Sequence, residues 1–243
     1  MKLHFLLCLF VFSCLACKKT KVEAPIDVSL EYEIRLSKSA DISNASVLLL
    51  LHGYGSHEKD LFSFSSFLDE DMTLIAVRAP ITLQEGKYAW YNINIGQGNT
   101  KYAFEDVQKS KQHILKFIKQ VKSKYNLRNQ KVYLGGFSQG AIMSLYVGLT
   151  APELIEGVVA LSGHLYPEVQ SEIDFSQAHK FPSIFLSHGR NDNVLSFEKA
   201  QEGVRFLESH NIAVDEYWYE SKHNISKENI LDMRTWLQSK MKK

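Results

Sequence analysis

Residues 136–140 carry the sequence G-F-S-Q-G, in which two glycines flank a serine at the spacing G-x-S-x-G. The apolar run 132–134 precedes this motif and the apolar segment 141–146 follows it, which indicates a buried strand, a tight turn and a helix. A serine at such a turn sits on strained backbone that presents its hydroxyl above the sheet. The motif predicts that Ser138 is a nucleophile. A glycine-rich turn with a capping serine is the alternative.

A serine hydroxyl is a poor nucleophile unless an imidazole accepts its proton and an acid orients that imidazole. The apolar run 183–186 predicts a core strand, and Asp192 lies on the loop just past its carboxyl end. His223 lies in a polar loop between the predicted strand Val214–Tyr219 and the last predicted helix. Ser138, Asp192 and His223 therefore follow the order nucleophile, acid, base and are the candidate catalytic residues. For Asp192, an ordinary polar surface turn is the alternative.

Other histidines fit the role of the base less well. His210 precedes the last predicted strand, His188 follows directly after the strand that supplies the acid, and His164 precedes Asp192 in the chain. His52 follows the first central strand, and we interpret it as a structural residue that braces its loop rather than as a second base.

Acyl transfer also needs at least two preset hydrogen-bond donors for the negative oxygen of the tetrahedral intermediate. The backbone N–H of Gln139, next after the candidate nucleophile, is one candidate. The other should lie on the loop after the first central strand, where 51–56 reads L-H-G-Y-G-S. We expect the backbone N–H of Tyr54 to be this second donor, with the neighbouring glycines permitting the turn.

The elements that position these residues alternate between short apolar runs and longer amphipathic stretches, which is typical of stacked βαβ units. The candidate strands are 28–36, Val47–Leu51, 74–77, 132–134, Gly157–Leu161, 183–186 and Val214–Tyr219. Amphipathic helices are predicted over 104–125 and 227–241. The gap 162–180 is too short for a separate cap domain. We expect one α/β domain over 28–243 with a mostly parallel sheet, helices on both faces and an open site.

Composition limits which kinds of molecule and which kinds of site are expected for this chain. The 243 residues carry a formal net charge of +1, with no basic surplus to neutralise phosphates, so nucleic acid is not an expected partner. All three cysteines lie in the first 17 residues, which leaves the rest of the chain without a thiol for a disulfide, a zinc site or a nucleophile.

The beginning of the chain reads as a secretory signal peptide over 1–16. Lys2 precedes an apolar run of about 11 residues, which is shorter than the roughly 20 that a membrane-spanning helix needs. The sequence C-L-A-C at 14–17 resembles a bacterial lipobox, which implies lipid attachment at Cys17, a tether over 17–27 and an exported, envelope-anchored lipoprotein. Cys14 is the competing attachment site, and a plain secreted protein is the alternative.

With these motifs in order, the chain resembles the phospholipase/carboxylesterase family of α/β hydrolases. The residues that carry the resemblance are L-H-G-Y-G at 51–55, D-L at 60–61, R-A-P at 78–80, A-W-Y at 89–91, G-G-F-S-Q-G at 135–140 and H-N-I-S at 223–226. The resemblance implies the α/β-hydrolase fold, the Ser138, Asp192 and His223 triad and the oxyanion-hole amides of Tyr54 and Gln139.

The same resemblance implies the class of reaction, which is hydrolysis of small carboxylic esters or thioesters without a metal or organic cofactor. Trp90 and Tyr91 are possible substrate-lining residues, although aromatic pairs also occur in cores. A peptidase or acyl-transferase on the same scaffold is one alternative function, and an inactive hydrolase that serves as a binding protein is another.

Overall fold

The computed structural model describes residues 29–39, 45–96, 99–127 and 130–241. Its strands are β1 (Tyr32–Arg35), β2 (Val47–Leu51), β3 (Thr73–Val77), β4 (Ile81–Gln84), β5 (Lys87–Ala89), β6 (Ile93–Gly96), β7 (Asn99–Tyr102), β8 (Val132–Phe137), β9 (Gly157–Leu161), β10 (Ser183–Gly189) and β11 (Val214–Tyr219). Its α-helices are α1 (Glu58–Phe62), α2 (Phe104–Lys124), α3 (Gln139–Thr150), α4 (Pro167–Glu172), α5 (Phe197–Ser209) and α6 (Lys227–Met241). The predicted signal peptide 1–16, Cys17 and the tether 17–27 lie outside the described residues.

Within the described residues, seven strands form one sheet in the order β1-β3-β2-β8-β9-β10-β11. Only β1 runs antiparallel to its neighbour, β3, while the other neighbouring pairs are parallel. Parallel neighbours require long crossover connections, which the helices provide here. The predicted mostly parallel α/β sheet is therefore confirmed. The first predicted strand, 28–36, is shorter than expected but is an antiparallel edge strand, as its alternating pattern indicated.

Each face of the sheet has its own hydrophobic core because neighbouring side chains in a strand point to opposite faces. In β2, Leu49 belongs to the core that α2, α3 and α5 cover. Leu48 and Leu50 belong to the opposite core, which α1 and α6 cover. The central strands are buried on both sides, and the helices lie on both faces as predicted.

The predicted helix over 104–125 is observed as α2, and its buried face includes the predicted Val107, Ile114, Ile118 and Val121. The helix after the G-x-S-x-G motif, α3, has no charged residue and is buried from Gln139 to Leu149. A helix that is apolar all round belongs in the interior. It packs between the sheet and α2 and so fixes the turn that precedes it.

In the part of the chain that the structure describes, two antiparallel hairpins, β4–β5 and β6–β7, interrupt the α/β alternation between β3 and α2, and the sequence pattern did not predict them. The first turns at Gly86, whose positive φ of 73° suits glycine. The gap 162–180 contains α4 and a short 3-10 helix, Phe175–Lys180. Of these segments, the β6–β7 hairpin contributes Ile93 and Tyr102 to the wall of the cavity at the candidate site, and the loop before α4 contributes His164 and Tyr166.

Among the helices within the described residues, none combines the length and apolar character needed to cross a membrane.

Candidate active site

Ser138 lies at the sharp turn between β8 and α3, with φ 53° and ψ −116°. Such a conformation costs a non-glycine residue about 1–3 kcal/mol and persists only where the surrounding structure imposes it. The Ser138 N–H donates to the carbonyl of Leu161 at 2.9 Å, and the Ser138 carbonyl accepts from the N–H of Ala141 at 3.0 Å. The predicted strand, turn and helix are confirmed, and the turn lies at the carboxyl end of the sheet.

The two glycines of the motif allow the strand and the helix to approach closely. A Cβ on Gly140 would lie 1.9 Å from the carbonyl oxygen of Leu51, and one on Gly136 would lie 2.3 Å from the carbonyl carbon of Gly140. Neither contact could be relieved by a flexible side chain because both involve backbone atoms. The spacing G-x-S-x-G is therefore a packing requirement of this turn.

His223 lies in the loop between β11 and α6, and its ring connects Ser138 to Asp192. Its Nε2 is 2.8 Å from Ser138 Oγ, and its Nδ1 is 2.7 Å from Asp192 Oδ2. Because an ionised carboxylate can only accept, Nδ1 carries the proton and donates it to Asp192, which leaves Nε2 to accept from the serine hydroxyl. The structure thus brings together three side chains that are 31 and 85 positions apart.

The Asp192 carboxylate is buried, with hydrogen bonds to both oxygens. Its Oδ1 accepts from the N–H groups of Val194 at 2.8 Å and Leu195 at 2.9 Å. Burial raises the pKa of Asp192, but the hydrogen bonds from His223 and from the two amides outweigh it and hold the pKa below its ordinary value. The carboxylate is therefore ionised near neutral pH and able to stabilise a positive imidazolium.

His188 is fully buried and lies next to the Asp192 carboxylate. Its Nε2 donates to the carbonyl of Leu195 at 2.8 Å and lies 3.2 Å from Asp192 Oδ2. This histidine holds the loop that carries the acid, which gives a structural role to a second histidine at the end of β10.

The loop after β2 is held by His52, whose side chain is buried. Its Nδ1 is 2.8 Å from the carbonyl oxygen of Gly53, and its Nε2 accepts from the N–H of Ala79 at 3.0 Å. Since Nε2 accepts, Nδ1 must carry the proton, which is the neutral tautomer. Burial lowers the pKa of His52 despite the opposing hydrogen bond to Gly53. These contacts agree with the predicted bracing role.

The bond from His52 also orients the peptide group between Gly53 and Tyr54. In a trans peptide the C=O and N–H bonds point in opposite directions, so a carbonyl held toward His52 turns the Tyr54 N–H away from that ring. Gly53 itself faces the nucleophile, since a Cβ there would lie 3.5 Å from Ser138 Cβ. In the described part of the chain, no hydrogen bond is found for the Tyr54 N–H.

Gln139 begins α3, where backbone N–H groups have no acceptor within the helix. Its side chain is buried and forms two hydrogen bonds to the backbone of the 89–91 loop. Oε1 accepts from the N–H of Trp90 and Nε2 donates to the carbonyl of Tyr91, both at 2.8 Å. Sequence reasoning used only the Gln139 backbone and missed this role, because a glutamine in a turn carries no pattern that reveals burial.

A cavity of ≈ 500 Å³ opens beside Ser138 and His223. Its wall is largely aromatic and aliphatic and includes Tyr91, Ile93, Tyr102, Ile142, Tyr166 and Leu195. Tyr54 and Val194 stand at its edge with 40% and 64% of their surfaces exposed. The cavity can therefore take an apolar group next to the serine hydroxyl.

Trp90 and Tyr91, the two predicted substrate-lining residues, have different roles in the structure. Tyr91 lines the cavity, and its hydroxyl is 2.9 Å from that of Tyr166. Trp90 does not line it, which corrects the prediction. Its indole is fully buried and donates from Nε1 to the carbonyl of His52 at 2.9 Å, so it supports the loop that carries Tyr54.

Within the described residues, no group of three or more His, Cys, Asp or Glu side chains is arranged to hold a metal ion.

A mostly parallel sheet with helices on both faces and a serine on the turn after a central strand defines an α/β hydrolase. The family described as phospholipase/carboxylesterase matches residues 34–241. The chain belongs to this family and is a hydrolase of carboxylic esters.

Two relatives are similar to this chain in sequence, and one solved structure is similar in fold. The chain is 28% identical over 231 residues to acyl-protein thioesterase 1 of Candida albicans, covering 86% of this chain and 98% of the relative. It is 26% identical over 193 residues to acyl-protein thioesterase 1 of Mycosarcoma maydis, covering 72% and 80%. The fold is similar to that of the Bacillus cereus carboxylesterase, with a TM-score of 0.75, 20% identity and coverage of 87% and 95%.

Proposed function

We propose that this chain hydrolyses carboxylic esters and thioesters through a covalent acyl-enzyme on Ser138. The observation that carries the proposal is the hydrogen-bonded series from Ser138 Oγ to His223 and on to Asp192, at 2.8 and 2.7 Å, on the wall of an apolar cavity. The roles of nucleophile, base and orienting acid follow from the order of donors and acceptors in this series.

In the first step, Ser138 Oγ attacks the acyl carbon while His223 Nε2 takes the hydroxyl proton. A bond forms between Oγ and the acyl carbon, and the carbonyl oxygen becomes an oxyanion. When the carbonyl re-forms, the bond from the acyl carbon to the leaving oxygen or sulfur breaks, and His223 returns the proton to that atom. Asp192 stabilises the imidazolium between these two transfers.

In the second step, water replaces the leaving group. His223 Nε2 takes a proton from water, whose oxygen attacks the acyl carbon, and the bond to Ser138 Oγ then breaks as the proton passes to the serine. The products are a carboxylic acid and the original enzyme.

The oxyanion of both steps is assigned to the backbone N–H groups of Tyr54 and Gln139. The support for Tyr54 is the peptide orientation that His52 imposes. The support for Gln139 is its position at the beginning of α3, next to the nucleophile. Preset donors of this kind stabilise charge that develops only in the transition state.

Thioesters are included because the two relatives reported above are acyl-protein thioesterases. The apolar cavity suits the acyl group, whereas the exposed rim formed by Tyr54 and Val194 leaves room for a larger leaving group.

The direct test is the variant Ser138→Ala. Turnover of short p-nitrophenyl esters should fall by about 10⁴-fold or more, since removing the nucleophile leaves only binding and oxyanion stabilisation. Labelling by a fluorophosphonate probe should also disappear. Ser209→Ala, which removes an exposed hydroxyl at the end of α5, is the matched control and should retain both properties. Near-normal turnover in Ser138→Ala would contradict the assignment.

We also propose that the enzyme is exported and anchored through an acylated Cys17, as the sequence C-L-A-C at 14–17 indicates. Metabolic labelling with palmitate in a bacterial host tests this. Label should be lost in Cys17→Ser and retained in Cys14→Ser, and the reverse pattern would move the attachment to Cys14.

A further inference from the structure

His164 lies in the loop after β9 and lines the cavity beside the nucleophile. The residue is 6% exposed, so nearly all of its surface is covered by protein. The proposed acyl-transfer steps make no use of it. A nearly buried imidazole thus lies among the largely aromatic and aliphatic residues of the cavity wall.

The backbone around His164 is held firmly. Ser162 has a φ of 51°, and its N–H donates to the carbonyl of Ser187 at 2.8 Å. A Cβ on Gly163 would lie 2.5 Å from the Cβ of Ala141, so this loop packs directly on the first turn of α3. The position of His164 relative to Ser138 is therefore fixed by the same helix that holds the nucleophile.

The hydrogen-bonding capacity of His164 is incompletely used. Among the described residues, its Nδ1 is buried and has no hydrogen-bond partner. The aromatic neighbours differ, because Tyr166 pairs with Tyr91 at 2.9 Å and Tyr102 donates to Glu168 at 2.8 Å. A buried polar atom without a partner is unfavourable, so an orientation of the ring in which this nitrogen meets a polar group of a bound substrate gains affinity.

The protonation state defines what that partner must be. Burial, with smaller electrostatic contributions from Lys199 and His188, lowers the pKa of His164 to about 4. The ring is neutral near pH 7 and offers one donor and one acceptor. A half-turn about the Cβ–Cγ bond exchanges Nδ1 with Cδ2 and Nε2 with Cε1, which moves the unpartnered Nδ1 to the opposite edge of the ring.

We infer that His164 is a specificity-determining residue that binds a hydroxyl or oxo oxygen on the acyl group of the substrate. The inference rests on the proposed ester hydrolysis at Ser138 and names its substrate class, which is esters and thioesters of oxygen-substituted acids. Lys199 lines the same wall and provides a second donor. A free carboxylate fits less well, because Glu168 and Glu202 line the adjoining smaller cavity together with His164 and Lys199.

The test compares substrates that differ only in the acyl substituent: the phenyl esters of butyrate, α-hydroxybutyrate, β-hydroxybutyrate and succinate. Each kcat/KM is divided by the rate constant of alkaline hydrolysis, which removes differences in intrinsic reactivity. The wild-type enzyme should favour one of the hydroxy esters over the butyrate ester by about tenfold or more, because the unsubstituted chain leaves the imidazole without its partner.

His164→Phe keeps an aromatic ring against Tyr166 but removes both nitrogens. In this variant the ratio of the corrected kcat/KM for the preferred hydroxy ester to that for the butyrate ester should fall to near one. Hydrolysis of the butyrate ester should persist. His164→Gln keeps an amide that can donate and accept, so it should retain part of the preference. The matched control is His113→Phe on the exposed face of α2, which should leave the preference unchanged.

The possible results separate this inference from the proposed function. Equal corrected kcat/KM values for the hydroxy esters and the butyrate ester in the wild type would overturn the role of His164, and this result does not depend on how the variant folds. A preference for the hydroxy ester that is undiminished in His164→Phe would also overturn it. A stronger preference for the succinate ester would also overturn it, since the cation of Lys199 would then decide selectivity. Hydrolysis of the butyrate ester that is lost in Ser138→Ala would still support the proposed function in each case.

Discussion

The two oxygens of the Asp192 carboxylate have separate partners. Oδ1 accepts from two backbone amides of its own loop, and Oδ2 accepts from Nδ1 of His223. The amides fix the orientation of the carboxylate, so only Oδ2 is left to hold the imidazole. The proton of His223 therefore stays on Nδ1, and Nε2 remains available to accept from Ser138.

Asp192→Asn should abolish this arrangement with little change in shape. The asparagine oxygen will stay with the two amides, so its NH2 group will face His223 and force the proton onto Nε2. Esterase turnover should then fall by about 10⁴-fold, as expected for a base in the wrong tautomer. Steady-state kinetics with a p-nitrophenyl ester measure this, and circular dichroism serves as the control for folding. Turnover within tenfold of the wild type would argue against the role of Asp192.

At the scale of elements, the loop after β2 is supported from several sides. The N–H of Gly55 donates to the carbonyl of Tyr88, and the N–H of Tyr88 donates to the carbonyl of Ser56, both at 2.9 Å. Trp90 and His52 add the side-chain bonds described above. The β4–β5 hairpin thus acts as a support for the proposed oxyanion donor on Tyr54.

Replacing His52 tests this support. His52→Leu removes the shorter of two hydrogen bonds to the Gly53 carbonyl and leaves only the 3.3 Å bond from the Ser56 N–H. The Tyr54 N–H should then be held less firmly, and kcat should fall by up to about 100-fold, the lower end of the range for loss of one oxyanion donor. KM should change little, because the oxyanion exists only in the transition state.

His52→Asn is the matched variant, since its side-chain amide can donate from the position of Nδ1 and should recover part of kcat. Equal losses in both variants, or a loss confined to KM, would mean that His52 only stabilises the fold.

At the scale of the whole molecule, two apolar cores stabilise the sheet, and few charged groups are buried among the residues that the structure describes. One of them is Glu58 at the beginning of α1, which is 3% exposed. It accepts two hydrogen bonds of 2.7 Å from Arg78, which follows β3. The pair of bonds to Arg78 is the main reason that the pKa of Glu58 lies below its ordinary value. This ion pair joins the helix after the oxyanion loop to the neighbouring strand.

Arg78→Met should lower the free energy of unfolding by about 3 kcal/mol near pH 7, because it leaves a buried carboxylate without its partner. A lowered pKa means that the stabilisation is complete above the ordinary glutamate value of about 4.3 and is lost as the pH falls through the lowered value. The gap between wild type and variant should therefore narrow below about pH 4. Urea unfolding of both proteins near pH 7 and below about pH 4 measures this difference in the free energy of unfolding.

Lys38→Met provides the comparison for this prediction. It breaks the ion pair with Glu70, in which both side chains are 64% exposed, so the cost should stay below about 1 kcal/mol. A gap for Arg78→Met that is equally wide at both pH values would contradict the assigned role of the Glu58 charge.

The sequence by itself determined the features that depend on local pattern. Continuous apolar runs marked β2, β8, β9 and β10, because strands buried on both faces leave no polar position. The period of α2 marked its buried face, and the G-x-S-x-G spacing marked the turn at Ser138. The order of Ser138, Asp192 and His223 could be read along the chain because each follows a strand at its carboxyl end.

Only the tertiary structure decided how side chains in irregular segments point. Trp90 and Tyr91 are adjacent, yet one supports the oxyanion loop and the other lines the cavity. Gln139 clamps a loop that lies 48 positions away, and His164 enters the wall of the cavity. In loops there is no fixed period, so burial depends on which distant elements pack against each residue. Which loop residues are buried is therefore decided by how α3, the hairpins and the 162–166 loop pack around one end of the sheet.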